Sequence, residues 1–315
     1  MAEVVREFRA MGSECSVRIV GEESTIASIA DRCVQRVLEL HDLWTRFSDE
    51  SELSRLNDAN GSAFMVSNDT LDVIALALDA WRATDGRFDP TMLDSIRGVG
   101  YDLTFDDLAG RTPVSIRTDS TRSSGAGAIV IDRGSSTVTL PSGVGLDLGG
   151  IGKGRAADLV FDLAMAEGAT GACIDLGGDV RVGGTAIDGG GWGIVIDDPS
   201  EPGSDLAVLA LGDGSVTTSS RLRRHWETTE GVAHHLLDPV TGRSAETDLV
   251  AVTVVAASAA WGETHAKAAL IAGAVDGIAM LADAGLSAIL ITGDGEVLRA
   301  GAIGDFLLDP DRDRA

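Results

Sequence analysis

The sequence predicts an α+β fold with mixed, mostly antiparallel sheets and packed helices. Short apolar segments of strand length follow one another in runs between residues 128 and 256, whereas a doubly wound protein alternates strands with helices. Amphipathic helical segments flank these runs. We expect one unit over residues 1–315 with two lobes, about 1–125 and 126–305, and a frayed tail at 306–315.

In the first lobe, each element follows from a local pattern. After Ser24, Ile26 and Ile29 begin an apolar face at helical spacing, which predicts an amphipathic helix. Ser51 is a capping residue type placed before a short helical segment. Pro90 fixes its own backbone and restricts the residue before it, which indicates a turn. The predicted elements are a hairpin of strands 4–9 and 15–20, helices 24–43 and 71–81, a turn at 87–91 and a loop at 98–124.

The second lobe is predicted to be dominated by strands. Apolar and β-branched segments are separated by turn residues, which is typical of antiparallel sheets. Two longer apolar segments near the end have helical length. The predicted strands are 128–132, 137–140, 172–176, 180–183, 192–197, 206–211, 216–220, 233–237, 249–256, 287–292 and 297–299, and the predicted helices are 257–271 and 275–284.

Composition narrows the class of protein. The chain is 44% hydrophobic and 23% charged, as in ordinary globular proteins. It carries 25 basic and 49 acidic residues, a net charge of −24 without a basic stripe, which argues against binding to nucleic acid or to an anionic membrane. Its three cysteines are scattered, so no disulfide framework or zinc site is implied.

The start of the chain lacks the apolar core of a signal peptide. No run of residues approaches the length of a membrane span. We therefore expect a cytoplasmic protein without a membrane span.

The centre of the sequence is a glycine loop, residues 145–154, which is predicted to follow a short strand and to open a helix. Apolar residues at helical spacing follow it, beginning with Ala156, Leu159 and Val160, and Gly168 is placed to close the helix. A helix N-terminus with glycines favours an anion, because its N–H groups are unpaired and no side chain blocks the backbone. A glycine-rich strand-to-helix turn is also an ordinary packing device.

Two phosphate-binding patterns compete for the glycine loop. A Walker loop is excluded because Lys153 is followed by Gly154 instead of Ser or Thr. The dinucleotide pattern fits with Ala157 in its last place and Asp175 near the position of a ribose-binding acid. However, a Rossmann unit needs a buried apolar strand before the glycines, and this segment is short and carries Asp147. The Rossmann interpretation therefore ranks lower.

Six short motifs occur along the chain in a fixed order. They are Met11-Gly12, Phe47-Ser-Asp-Glu-Ser-Glu-Leu-Ser-Arg-Leu-Asn57, Gly86-Arg-Phe-Asp-Pro-Thr91, Asp147-Leu-Gly-Gly-Ile-Gly-Lys-Gly154, Gly177-Gly178-Asp179 and His234-His-Leu-Leu-Asp-Pro-Val-Thr-Gly242. As an ordered set, from about Met11 to Gly273, the chain resembles the ApbE-type FAD:protein FMN transferases.

The resemblance implies a two-lobed, T-fold-like catalytic unit and a magnesium-dependent enzyme. Such an enzyme binds FAD as substrate, cleaves its pyrophosphate, joins FMN by a phosphoester to a Thr or Ser of an acceptor flavoprotein, and releases AMP. Some members act mainly as FAD pyrophosphatases that release FMN and AMP. A flavin-binding protein without turnover is a third alternative.

The resemblance also assigns residues. This transfer needs donors for phosphate oxygens, a cation and a base for the attacking hydroxyl. The base is expected at His235, whose ordinary pKa of roughly 6.5 suits it, while His234 points to the other face of a strand and is structural. Residues 238–242 read as a tight turn held by the Asp238 side chain. The expected FAD contacts are Met11, Phe47, Phe88, Asp89, Gly149, Lys153, Arg155 and Leu237, and the expected metal positions are the Gly152 carbonyl, Glu263 and Lys267.

One position departs from the family pattern. The family's metal motif reads Ala-Asp-Ala-Leu-Ala-Thr, whereas residues 262–267 read Gly-Glu-Thr-His-Ala-Lys. An ammonium group is no ligand for magnesium. Glu263 then holds the metal with Thr264 or water, or Lys267 replaces part of the cation's charge, or the site is inactive, or the two residues form an exposed pair worth about 0.3–0.5 kcal/mol. We favour a buried role, because Lys267 precedes Ala-Ala-Leu-Ile.

Overall fold

The computed structural model describes residues 1–117, 125–199, 201 and 203–308. The predicted loop at 98–124 and the tail therefore lie partly outside the described residues. The strands are β1 (Ala2–Ala10), β2 (Ser13–Gly21), β3 (Phe64–Met65), β4 (Val130–Asp132), β5 (Thr137–Thr139), β6 (Gly171–Leu176), β7 (Asp179–Gly184), β8 (Trp192–Asp197), β9 (Asp205–Leu211), β10 (Gly214–Ser220), β11 (His225–Thr228), β12 (Gly231–His234), β13 (Leu237–Asp238), β14 (Arg243–Ser244), β15 (Leu249–Ala256), β16 (Ser287–Thr292) and β17 (Val297–Ala300). The helices are α1 (Ile26–Trp44), α2 (Glu52–Asp58), α3 (Asn68–Ala83), α4 (Leu93–Gly98), α5 (Phe105–Leu108), α6 (Gly152–Ala166), α7 (Ala259–Ala272) and α8 (Ala274–Asp283).

The chain divides into two compact units, each made of separate segments. Unit 1 comprises Met1–Leu38, Lys153–Ser220 and Asp248–Ala315, and unit 2 comprises Glu39–Gly152 and Arg221–Thr247. These bounds differ from the lobes 1–125 and 126–305 that the sequence predicts. The difference arises because the first hairpin pairs with β6, far along the chain, and so belongs to the same sheet as the later strands.

Unit 1 is built on an eight-stranded antiparallel sheet. The strand order is β1-β2-β6-β7-β10-β15-β16-β17. Helix α7 packs on β7, β10 and β15, and α8 packs on β16 and β17. The hairpin of β8 and β9 adds Trp192, Ile194 and Leu209 to an apolar core that includes Val182 and Val216 of the sheet. Strand β15 is therefore buried along its whole length.

Unit 2 combines helices with small sheets. It holds the three-stranded sheet β3-β5-β4 and the hairpins β11-β12 and β13-β14. Ser51 caps α2 by accepting a hydrogen bond from the Ser54 N–H at 3.0 Å, as predicted. A core cluster joins Leu93 and Tyr101 to Trp226 and Leu237. Residues distant in sequence thus share one small core.

The predicted fold class is confirmed, but several local predictions are wrong. Residues 140–148, which lead directly into the glycines, form no strand, because the N–H and C=O of Leu146 bond the Asn57 side chain and not a neighbouring strand. Helix α6 therefore does not follow a buried parallel strand, which removes the Rossmann interpretation. Asp175 accepts a hydrogen bond from the Gly178 N–H and holds the turn between β6 and β7. The predicted strand 233–237 is split, with β12 ending at His234.

The end of the described chain is ordered where fraying was expected. The Ala210 N–H donates to the Phe306 carbonyl at 2.7 Å, and the Leu308 N–H donates to the Val208 carbonyl at 2.9 Å. Residues 306–308 are therefore paired with β9. In the ranges that the structure describes, none of the helices is long and apolar enough to cross a membrane.

Candidate functional site

Two lysines and two carboxylates meet in unit 1. Lys153 lies in the first turn of α6, Asp179 begins β7, and Glu263 and Lys267 lie one turn apart on α7. The Lys267 Nζ donates to Glu263 Oε1 at 2.8 Å, and the Lys153 Nζ lies 3.3 Å from the same oxygen and pairs with Asp179. The Gly154 N–H donates to Glu263 Oε2 at 2.8 Å. We call these four side chains the charge cluster.

Burial divides the charge cluster by sign. The side chains of Asp179 and Glu263 are 2% and 1% exposed, whereas those of Lys153 and Lys267 are 15% and 13% exposed. Glu263 is thus buried and Lys267 is half-buried, so the two residues do not form an exposed surface pair. The cationic members are the ones that solvent reaches.

Electrostatics keep Glu263 ionised in this buried position. Burial alone would raise the pKa of Glu263. The opposing charges of Lys153 and Lys267 and the hydrogen bonds to the carboxylate outweigh burial and lower the pKa from its ordinary 4.5 to about 2. Glu263 is therefore negatively charged at neutral pH.

Close backbone packing brings α6 and α7 together around this cluster. A Cβ on Gly154 would lie 2.4 Å from the Ala259 carbonyl oxygen, so only glycine permits the approach. Asp158 accepts hydrogen bonds from the N–H groups of Ala259 and Ala260 at 2.8 and 3.0 Å. These bonds satisfy the first turn of α7 and set its position against α6.

The donor set around Glu263 does not fit magnesium. Magnesium requires an octahedron of oxygen ligands and is usually held by carboxylates and water. Both Glu263 oxygens already accept from cations or a backbone N–H, and the Asp179 carboxylate pairs with Lys153. No group of three or more His, Cys, Asp or Glu residues within the described ranges could hold a metal ion.

Unit 2 contains an aromatic and cationic group, which we call the arginine sandwich. The Arg46 guanidinium lies 4.2 Å from the Phe47 ring centroid and 4.7 Å from that of Tyr101. Tyr101 also packs against Trp226, with ring centroids 5.2 Å apart. Arg46 is 9% exposed and pairs with Asp147 at 3.2 Å, while Phe47 is 41% exposed. The arginine sandwich therefore leaves the Phe47 ring exposed to solvent, with the Arg46 guanidinium packed against it.

The two adjacent histidines of unit 2 have different surroundings. His234 is buried, its Nε2 lies 3.2 Å from the Ala245 carbonyl oxygen, and burial lowers its pKa. His235 follows β12 and is half-buried, with Nδ1 3.3 Å from the Arg224 carbonyl oxygen. A carbonyl only accepts, so the neutral His235 ring carries its proton on Nδ1 and its lone pair on Nε2.

A family model described as the ApbE family matches residues 11–290 of this chain. The chain belongs to the ApbE family. Among curated ApbE relatives, it is 29% identical to the FAD:protein FMN transferase of Vibrio cholerae over 83% of this chain and 77% of the relative. It is 30% identical to the FAD:protein FMN transferase of Treponema pallidum over 82% of this chain and 75% of the relative.

Solved ApbE structures share the fold of this chain. The ApbE protein from Thermotoga maritima superposes with a TM-score of 0.88 at 23% identity and covers 98% of this chain and 100% of its own. The flavin transferase ApbE from Vibrio cholerae superposes with a TM-score of 0.83 at 23% identity, covering 97% and 99%. This chain therefore shares the fold of the solved ApbE structures over nearly its full length.

Among the remaining predicted positions of this ApbE member, two lie in unit 1. Met11 occupies the turn between β1 and β2 with φ 51°, a left-handed conformation that is uncommon for residues other than glycine. Arg155 lies on α6, and its buried Nε has no hydrogen-bond partner in the described structure. Met11 therefore has an uncommon backbone conformation, and Arg155 has a buried donor without an acceptor in the described structure.

Unit 2 holds the other predicted positions. Asp89 is buried, and its side chain accepts hydrogen bonds from the N–H and the Oγ1 hydroxyl of Thr91. The side chain therefore stabilises the turn in which Asp89 lies. Asp238 accepts from the Val240 N–H at 2.8 Å, which confirms the predicted turn at 238–242. Gly149 is exposed. The remaining predicted positions, Phe88, Leu237 and Gly152, are buried.

Sequence reasoning missed three functional candidates. Asp179 lies in the Gly177-Gly178-Asp179 motif, but the resemblance gives it no site role, and no local pattern indicates Asp158 or Tyr101. One signal was available for Asp179: a lysine placed in a helix N-terminus among glycines and small residues needs a carboxylate partner when it is buried. Tyr101 fell in a segment that was predicted to be a loop.

Proposed function

We propose that this ApbE member transfers the FMN moiety of FAD to a Thr or Ser hydroxyl of an acceptor flavoprotein. The observation that carries the proposal is the family match over residues 11–290, together with relatives named FAD:protein FMN transferase. In this reaction, the acceptor hydroxyl oxygen attacks the phosphorus of the FMN half. The bond from that phosphorus to the oxygen bridging to AMP breaks, a phosphoester forms, and AMP leaves.

His235 is the proposed base. Its Nδ1 proton faces the Arg224 carbonyl, which orients the ring and places the lone pair on Nε2. Nε2 then accepts the proton of the acceptor hydroxyl as the new phosphoester forms. The half-buried position of His235 supports this role better than the buried His234 does.

The phosphates and the flavin have separate proposed partners. Lys153 and Arg155 in the first turns of α6 donate to phosphate oxygens, and the unpartnered Arg155 Nε supports an anion there. The exposed Phe47 ring, backed by Arg46, is the proposed contact for the flavin ring. Met11, Phe88, Asp89, Gly149 and Leu237 remain proposed FAD contacts.

Magnesium is implied by the family resemblance but has no role in this proposal. The resemblance implies a metal at Glu263, at position 267 and at the Gly152 carbonyl, where it would neutralise charge on the phosphates. Because the donor set does not fit magnesium, no step is assigned to a metal ion here. The cationic side chains of this chain carry that role in the proposal.

Nucleotide analysis separates the proposed transfer from its alternatives. Incubation of the protein with FAD and a flavoprotein acceptor domain is expected to yield AMP only when the acceptor is present, because the hydroxyl is the nucleophile. FMN and AMP without an acceptor would instead identify an FAD pyrophosphatase. Intact FAD under all conditions, with flavin bound, would contradict catalysis and identify a flavin-binding protein.

A further inference from the structure

The chain contains only two lysines, and both contact the same carboxylate. The sequence places lysine at 153 and 267, so 23 of its 25 basic residues are arginine, since 25 − 2 = 23. Both ammonium groups lie within 3.3 Å of Glu263 Oε1. Ordinary ion pairs in unit 1 use arginine, as in Arg32–Glu167 and Arg181–Asp213. Both lysines of the chain therefore lie in the charge cluster.

We propose that Lys153 and Lys267 form a built-in cation pair that binds the diphosphate of FAD, and that this chain places no divalent metal ion at Glu263. The proposal rests on the proposed function, since it names how that same site takes its substrate. Lys267 is a compact, three-donor ammonium, which suits a phosphate oxygen as a point charge.

The exposure of the charge cluster supports this assignment. An anion that approaches from solvent meets the two lysines, because they keep 13–15% exposure while the carboxylates keep 1–2%. The carboxylates lie behind the ammonium groups and hold them in place.

Charge counting shows what Lys267 contributes. Two lysines and two carboxylates give a net charge of zero, whereas the cluster without Lys267 has a charge of −1. A cluster of −1 repels a diphosphate unless a metal cation is added. The Lys267 ammonium already occupies Glu263 Oε1, an oxygen that a metal would need. Lysine and metal are thus alternatives at this site.

Lysine-selective NMR tests the proposal without relying on turnover. Protein grown with isotope-labelled lysine should give two side-chain Cε signals, which the Lys267→Arg variant assigns. Inorganic pyrophosphate, and FAD separately, are expected to shift both signals, and millimolar Mg²⁺ alone is expected to leave both unchanged. A shift with Mg²⁺, or no shift with pyrophosphate and FAD, would overturn the proposal.

Activity measurements then distinguish this inference from the proposed function. Wild-type transfer is expected to be unchanged by EDTA. Lys267→Met is expected to lose about 10²-fold or more in kcat/KM. Lys267→Arg is expected to retain part of this activity, because it keeps the positive charge but not the compact ammonium group. The surface variant Arg32→Gln serves as control and should match wild type. Transfer that requires Mg²⁺ contradicts the cation pair but keeps the function. Lysine shifts without any FAD product contradict the function but keep the phosphate site.

Discussion

Replacement of Glu263 with Gln is expected to lower the free energy of unfolding by about 3–5 kcal/mol, because it leaves the half-buried Lys267 ammonium without its carboxylate partner. Glu263 is 1% exposed, and it is the carboxylate that Lys267 contacts at 2.8 Å. Urea denaturation followed by circular dichroism measures this loss. The large effect would show that the charge cluster is organised around Glu263.

An exposed helical pair provides the matched control. Asp79 and Arg82 are one turn apart on α3, at 2.8 Å, with side chains 65% and 59% exposed. Asp79→Asn is expected to cost less than about 0.5 kcal/mol, since solvent screens the pair. If Glu263→Gln cost no more than this control, the buried cluster would not have the role assigned to it.

The same carboxylate predicts a pH dependence with a defined sign. The pKa of Glu263 is lowered on folding to about 2, so its stabilising contribution is fully present above its ordinary pKa of 4.5. That contribution is lost as pH falls from 4.5 towards 2. The difference in unfolding free energy between wild type and Glu263→Gln should therefore narrow over this range and stay constant at higher pH.

The His235→Asn variant is expected to lose about 10²–10⁴-fold in kcat for FMN transfer, because no base remains for the acceptor hydroxyl. Its stability should change little, since His235 is half-buried and lies just beyond β12. The acidic limb of the wild-type pH–rate profile, which reports protonation of the base, should disappear in the variant.

His225 offers a matched histidine control. It is exposed at the start of β11, with Nδ1 2.9 Å from the Leu222 carbonyl oxygen. His225→Asn is expected to keep wild-type kcat and the wild-type pH profile. If His235→Asn also kept both, His235 would not be the base, and another group would have to accept the proton.

Strands and helices with strong local patterns could be predicted from the sequence. Strand β15 and strand β16 match the predicted bounds 249–256 and 287–292, because their apolar runs are bounded by clear turn signals. The capping role of Ser51 could also be predicted, since a hydroxyl placed before a helical segment accepts a hydrogen bond from a backbone N–H of the first turn. These features depend on neighbouring residues.

Features that depend on distant residues could not be predicted. The glycine loop lacks its expected strand because Asn57 takes the backbone bonds of Leu146, and no local pattern signals that pairing. The contact of Lys153 with Asp179 and Glu263 likewise requires the sheet order and the close approach of α6 and α7 at Gly154. The sequence therefore shows that Lys267 departs from the family pattern, but it does not show which residues Lys267 contacts.

Intact-protein mass spectrometry of the acceptor tests the central claim most directly. A flavoprotein acceptor domain, and a version in which its target Thr or Ser is replaced by Val or Ala, would be incubated with this protein and FAD in EDTA. We predict that the intact acceptor gains the mass of one FMN, matched by equimolar AMP, and that the altered acceptor gains none. An acceptor mass that stays unchanged both in EDTA and with added Mg²⁺, while the protein is folded and binds FAD, would contradict the proposed transfer. A mass gain that requires Mg²⁺ would contradict only the cation pair.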